Sequence, residues 1–374
     1  MPRLGITQAR LATALGLSRT TVNKLVNHGL WPAGENRKDL KHRIAGYVES
    51  KGGRGRGLFA PLIPPPATPI TDPASPPEEE AIMLLRKQSL TPEARRHFGL
   101  SRDPFSDPVT HDEIYMNHEI RYVRESLYQV ARHGGFMAVI GESGSGKTTL
   151  REDLVSRIQR EEESVIVIEP YVLAMEAQDR VGKTLRAHHI AEAIMAAVAP
   201  LAKSLQSPES RFRQTHHSLR DSARAGHAHV LLIEEAHCLP IPTLKHLKRF
   251  RELKDGLKPL LSIVLLGQPE LELKLSEHNP ELREVVQRIE LVRLPALGRD
   301  LEAYLKHRFA RCGIPLEQVL VNGAIEALAT KLTPARASGT LLYPLAVHNV
   351  LARAMNDAAE CGVAPIPADL IRGV

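Results

Sequence analysis

Aromatic residues make up only 4% of this 374-residue chain, and cysteine occurs three times, at Cys238, Cys312 and Cys361, far apart and without a CxxC pair. So few rings leave little for stacking on nucleic-acid bases, so any nucleic-acid contact should run mainly to phosphate. The sparse cysteines point to a reducing compartment, and a cytoplasmic location is expected. No apolar run reaches about 18 residues. Pro259 to Gly267 is too short, and Ala191 to Ala202 is interrupted by Glu192 and Pro200. No membrane segment is therefore expected, and the N-terminus lacks the apolar core of a secretory signal. What is present is ordinary for a globular protein: 25% charged and 43% hydrophobic residues. At roughly 150 residues per domain, the length suggests two or three domains.

The net charge of +6 is unevenly spread, because residues 1–56 hold eleven Lys/Arg against three acids, a local +8. A basic module on a near-neutral body implies a polyanionic partner, most naturally nucleic acid. Residues 61–77 then contain eight prolines in seventeen positions, a composition that builds neither ladder nor helix and reads as a semi-rigid spacer. Helical spacing resumes through Ile82, Leu85 and Arg86. From Phe136 onward, apolar runs at 136–140, 164–169, 229–233, 260–266 and 288–294 alternate with amphipathic stretches, which predicts a parallel sheet covered on both faces. Beyond Pro295 the pattern is helical only, over 301–312, 322–332 and 341–361. The expected domains are 1–50, a linker at 51–80, an α/β body at 81–296 and a helical subdomain at 297–374.

The most specific motif spans Gly141, Glu142, Ser143, Gly144, Ser145, Gly146, Lys147 and Thr148, with Thr149 following. It matches GxxxxGK[ST], between a strand-like run and a helix-like stretch, the context in which backbone N–H groups and a helix N-terminus cradle phosphates. Lys147 would reach the β- and γ-phosphates of ATP, and the Thr148 hydroxyl would ligate Mg2+. A second apolar run ends in Glu234 and Glu235. The first acid would hold the magnesium through water and the second would deprotonate the attacking water. Glu234 stands where Asp is usual. A third run ends at Gln268; if its strand lies between the other two, Gln268 becomes a candidate γ-phosphate sensor.

This order of motifs resembles the AAA+ ATPases. The segments 98–105, 134–136, 235–237 and 266–271 are similar to the group containing ExeA-type secretion ATPases and Mu B-like transposition target-selection ATPases. The resemblance covers roughly residues 95–360. It implies an AAA+ P-loop NTPase fold with a parallel sheet flanked by helices, a C-terminal helical lid and ATP-dependent self-assembly into a ring or filament. Carried over to this chain, it gives Glu235 the base role, Gln268 the sensor role, and Arg288, or alternatively Arg283, the role of an arginine finger serving a neighbour's site. One departure is visible: Tyr343, Pro344 and Leu345 stand where a second-sensor arginine would be expected.

The basic N-terminal module resembles a helix-turn-helix. Ala12 permits close helix approach, Gly16 makes the turn, Leu11, Leu17, Val22 and Leu25 form a core, and Ser18 caps the second helix. Arg19, Thr20, Asn23 and Lys24 would face the major groove of duplex DNA. Within the body, Lys245 and Lys248 on one predicted helix, with Arg180, Lys183 and Arg186 in another group, are candidate phosphate contacts. Together these features favour an ATP-dependent DNA-binding ATPase, and the resemblance to the Mu B-like group implies that it assembles on duplex DNA and directs a transposase. A nucleotide-switched transcription regulator, a helicase loader and an ExeA-like secretion ATPase are the alternatives. The last would ordinarily carry a membrane segment and a wall-binding domain, which are not found between Met1 and Val374.

Overall fold

The computed structural model describes residues 8–18, 21–22, 25, 37–50, 87–170, 185–203, 205, 207–276, 279, 281–333 and 340–374. The chain divides into two units, Met1–Ser75 and Pro76–Val374. The Pro-rich spacer and the stretch around Ile82 and Leu85 lie outside the described residues.

In the first unit, helix α1 (Gln8–Leu15) and helix α2 (Arg37–Ser50) share a core of Leu11, Ala12, Leu15, Val22, Leu40, Ile44 and Val48. Gly16 ends α1 at φ +66°, a conformation that costs glycine little, and lets Leu17 N donate to Ala12 O at 3.0 Å. Ser18 Oγ accepts from Thr21 N at 3.1 Å, as a helix cap would. Arg19, Thr20, Asn23 and Lys24 lie outside the described residues.

The second unit runs through α3 (Pro92–His97), α4 (His118–His133), β1 (Phe136–Ile140), α5 (Lys147–Arg160), β2 (Val165–Ile168), α6 (Ala187–Val198), α7 (Pro208–Arg224), β3 (Ala228–Ile233) and α8 (Ile241–Arg251). After a short antiparallel ribbon pairing Lys254-Asp255 with Lys258-Pro259 come β4 (Ser262–Gly267), α9 (Pro269–Lys274), α10 (Arg283–Val286) and β5 (Glu290–Arg293). The remainder is helical: α11 (Leu301–Ala310), α12 (Ala324–Lys331), α13 (Pro344–Cys361) and α14 (Ala368–Gly373).

The five long strands form one parallel sheet in the order β2-β3-β4-β1-β5. Burial on both faces explains why β1 and β4 read as unbroken apolar runs rather than alternating ones. Phe136, Ala138 and Ile140 join one core with residues of α6 and α8, while Met137 and Val139 join the other with residues of α4 and α5. Two strands are shorter than the apolar runs predict. Leu260 and Leu261 are buried but precede the β4 ladder, and Arg288 N donates to Val285 O at 3.0 Å, so Arg288 closes a helical turn rather than opening β5.

Helices α11 to α14 build a third core, centred on residues such as Leu305, Phe309, Leu328, Val347 and Met355. Leu90, Ala94, Phe98 and Leu100 belong to it as well, so residues 90–100, grouped with the α/β body on sequence, pack on the lid helices. Two lid asparagines fix this strap: Asn349 Oδ1 accepts from Gln88 N and Asn356 Oδ1 from Thr91 N, each at 2.9 Å. Among the described residues, no helix is long and apolar enough to cross a membrane.

Candidate functional site

The phosphate loop leaves β1 at the C-terminal edge of the sheet and enters α5. Gly144 (φ +72°) and Gly146 (φ +99°) sit in the left-handed region that non-glycine residues rarely adopt, which lets the loop curl around the helix start. Gly144 is also a point of close approach, because a Cβ there would lie 2.1 Å from Leu345 Cβ at the start of α13. Leu345 N donates to Gly144 O at 3.3 Å, so the lid touches the loop directly.

Lys147 Nζ donates to Gly141 O at 2.6 Å and Glu142 O at 2.8 Å, curled over the mouth of the loop. Burial lowers its pKa, opposed by the charges of Glu235 and Glu142. Ser145 Oγ is buried within the loop without a hydrogen-bond partner. An ammonium held only by carbonyl oxygens and an orphaned buried hydroxyl are what a phosphate chain would satisfy, so the residues present fit a nucleoside triphosphate.

β3 and β4 deliver the acids and the amide. The order β3-β4-β1 puts Gln268, just past β4, between the loop and the two glutamates. Glu235 adopts φ +48° and ψ +35°, a left-handed conformation costing about 1–3 kcal/mol for a non-glycine residue, of the kind that clusters at functional sites. Its carboxylate is half exposed and accepts loosely, at 3.5 Å, from Gln268 Nε2 and from His237 Nε2. His237 Nδ1 accepts from Gln268 N at 3.4 Å, which ties the three side chains into one group. Glu234 points elsewhere: Oε1 pairs with Arg151 Nε at 3.3 Å, and Arg151 is also bonded to Glu169 at 2.7 Å. No cluster of three or more metal-ligating His, Cys, Asp or Glu side chains occurs among the described residues. Magnesium would therefore take Thr148 and an acid from the protein and complete its shell with phosphate and water oxygens, as this hard cation commonly does.

The loop, Glu235 and Gln268 open into a cleft of about 400 Å³ that continues past Ile114, Tyr115 and Ile120 to Tyr304, Arg308 and His348 on the lid. This far end was not legible in the sequence. Its wall is held by charge: Glu113 pairs with Arg102 at 2.6 Å and Arg311 at 2.8 Å, and a hydrogen bond from Val109 N, ahead of Arg102, holds its carboxyl down at about 2. Arg308 is buried and donates to Pro104 O and Ser106 O. Tyr304 and His348 stack with ring centroids 5.8 Å apart, and Tyr304 Oη lies 2.7 Å from His348 Nε2.

Burial drives the His348 pKa down to about 3 from an ordinary 6.5, so the lid presents a neutral imidazole, not a cation, near the position where a second sensor was sought. Because the folded-state pKa is depressed, the unfolded chain binds the extra proton first. Stability should thus be full above about pH 6.5 and fall as pH drops toward 3, by up to about 1.4 kcal/mol per unit. Urea unfolding at pH 7.5 and 5 should show His348→Gln losing about 1–2 kcal/mol less on acidification than the parent chain. Equal losses in the two would show that His348 does not set the acid limb.

The remaining predicted residues are dispersed. Arg288 lies just ahead of β5, whose first residue Glu290 is level with Met137 near the start of β1, so it sits toward the edge of the sheet opposite the one from which its own phosphate loop leaves. There it donates to Glu252 at 2.7 Å. Lys245 pairs with Glu281 at 2.7 Å, and Lys248 pairs with Glu284 and, at 3.8 Å, with Glu252. Lys245 and Lys248 are thus neutralised, mainly by acids of neighbouring elements, which the local charge pattern did not reveal. Arg180 and Lys183 lie outside the described residues, and Arg186 occupies the position just before α6, its backbone N–H donating to His189 Nδ1 at 3.1 Å.

A sequence profile described as an AAA domain matches residues 130–275. The chain is 29% identical over 238 residues to general secretion pathway protein A of Aeromonas hydrophila, covering 62% of this chain and 40% of that protein's length. Among solved structures it is similar to Cdc6p of Pyrobaculum aerophilum (16% identity, TM-score 0.48, 72% of this chain and 66% of the other). The ORC2 protein of Aeropyrum pernix is similar too (17% identity, TM-score 0.48, 72% and 70%). Parallel strand order, phosphate loop, acidic strand end and helical lid together make this an AAA+ P-loop NTPase fold.

Proposed function

We propose that this chain hydrolyses ATP with Mg2+, assembles with copies of itself in the ATP-bound state, and does so on duplex DNA to direct a transposase. The observation that carries the reading is the convergence of Lys147, Glu235 and Gln268 on one cleft roofed by the lid, while Arg288 faces away from that cleft. Lys147 holds the phosphates, Glu235 takes the proton of the attacking water, and Gln268 orients both. Arg288 completes the site of a neighbour. The local charge of +8 over residues 1–56 supports the DNA partner. Contacts from Arg19, Thr20, Asn23 and Lys24 are the stronger part of that proposal, since Lys245 and Lys248 would have to exchange their carboxylate partners for phosphate. The likeness to general secretion pathway protein A favours a second reading, an ExeA-like secretion ATPase.

DNA-binding isotherms across a salt series, with and without a non-hydrolysable ATP analogue, separate the two. The full chain should bind duplex DNA more tightly with the analogue. Arg19→Ala/Lys24→Ala should weaken binding and flatten the slope of log affinity against log salt by about 1.8, at about 0.9 for each phosphate no longer neutralised. Absence of DNA binding at low salt in either nucleotide condition would leave the secretion reading in its place.

A further inference from the structure

We infer that Arg251 is a second trans-acting arginine, which reaches with Arg288 into the nucleotide site of a neighbouring copy and holds the terminal phosphate there. The inference rests on the assembly reading above and adds a residue to it. Arg251 ends α8 and lines a concavity of about 650 Å³ with Glu252, Lys254, Leu257, Pro259 and Arg288. The one carboxylate there, Glu252, already accepts from Arg288 at 2.7 Å and faces Lys248 at 3.8 Å. The Arg251 side chain makes no hydrogen bond or ion pair with any described residue, although it is half buried. Burial, with the nearby Arg288 charge, lowers its pKa from the usual value. Leaving a guanidinium partly desolvated and unpaired is unfavourable unless an anion arrives.

That anion cannot be the chain's own nucleotide. A Cβ on Gly134 would lie 4.0 Å from Arg251 Nη2, so the guanidinium sits beside the residues leading into β1, at the sheet edge opposite the phosphate loop. The nucleotide cleft has the complementary deficit. Among the described residues lining it, the cations are Lys147 and Arg308, and Arg308 donates to the carbonyls of Pro104 and Ser106. Tyr343, Pro344 and Leu345 begin α13, and His348 is neutral, so this lid helix adds no charge to the cleft, and the guanidinium of Arg308 is already held by the two carbonyls. A surplus of cations at one edge and a shortage at the other is relieved by head-to-tail contact between copies, the heterologous arrangement that builds rings and filaments. Donors fixed in advance at the terminal phosphate stabilise the charge that shifts during transfer.

The test uses full-length chains mixed in pairs. Arg251→Ala should fold and bind ATP as the parent does yet hydrolyse it about 10- to 100-fold more slowly. Glu235→Gln should also be slow on its own. Mixed, the two should recover several-fold activity, because Glu235→Gln subunits offer Arg251 to the intact base of their neighbours. Arg288→Ala serves as the parallel arm. Parent-like turnover in Arg251→Ala would overturn the assignment. So would a loss that mixing fails to rescue while Arg288→Ala is rescued, since Arg251 would then act within its own subunit. If neither is rescued and sedimentation finds only monomer with ATP and DNA, the assembly reading falls, and this assignment with it.

Discussion

Glu235→Gln should leave ATP bound and slow its hydrolysis by on the order of 10² to 10⁴, the usual contribution of general-base catalysis. The substitution keeps the side-chain length and leaves an amide able to meet Gln268 and His237, which now approach the carboxylate at 3.5 Å. Only the proton acceptor is removed. The neighbouring acid gives the internal control. Glu234 is occupied by Arg151, and Arg151 keeps Glu169 as a partner when Glu234 is neutralised. Glu234→Gln should therefore raise the magnesium requirement and lower turnover by much less. Steady-state ATPase assays with a fluorescent-nucleotide titration check both. A Glu234→Gln enzyme slower than Glu235→Gln would reverse the roles of the two acids.

The position of Glu234 explains how a glutamate is accommodated where an aspartate is usual. Its longer stem lets the carboxylate lean onto α5 through Arg151, while Glu235, forced into a left-handed turn by the chain leaving β3, projects toward the cleft. The strand end sorts two adjacent acids by backbone conformation.

Much of this architecture was legible in the sequence because the relevant signals are local. β1, β3 and β4 are buried on both faces and so read as continuous apolar runs, and the phosphate loop is a contiguous motif between a strand and a helix. The absence of a lid arginine at Tyr343 to Leu345 was readable for the same reason. What the sequence hid depends on contacts between distant segments. Tyr115 packs edge-on against Tyr304 at 5.4 Å, although 189 positions separate them in the numbering, and nothing near either residue marks it as part of a cleft. The basic helix α8 misled in the opposite sense: its charge pattern suggested a phosphate-tracking face, but Glu281 and Glu284, from the segment leading into α10 and from α10 itself, neutralise Lys245 and Lys248. Residues 90–100 could be seen as an ordered stretch, but not as part of the lid core.

Lys147→Ala should weaken ATP binding by roughly 100-fold or more. A charge-assisted hydrogen bond contributes about 1.5–3 kcal/mol, and partners left unsatisfied in the loop add to the loss. The ammonium rests on Gly141 O and Glu142 O, carbonyls that solvent can satisfy once it is gone, so the fold itself should tolerate the change. The charge can be tested independently of the contact. Burial lowers the Lys147 pKa, and only the protonated amine attracts phosphate, so affinity for ATP in the parent chain should decline as pH rises, beginning below the range of an ordinary lysine. Lys147→Ala should bind weakly at every pH without that decline. Fluorescent-nucleotide titrations of both chains from neutral to alkaline pH make the comparison. Parent-like affinity in Lys147→Ala would remove the phosphate loop from the nucleotide site, and an identical alkaline decline in both chains would assign the titration to another group.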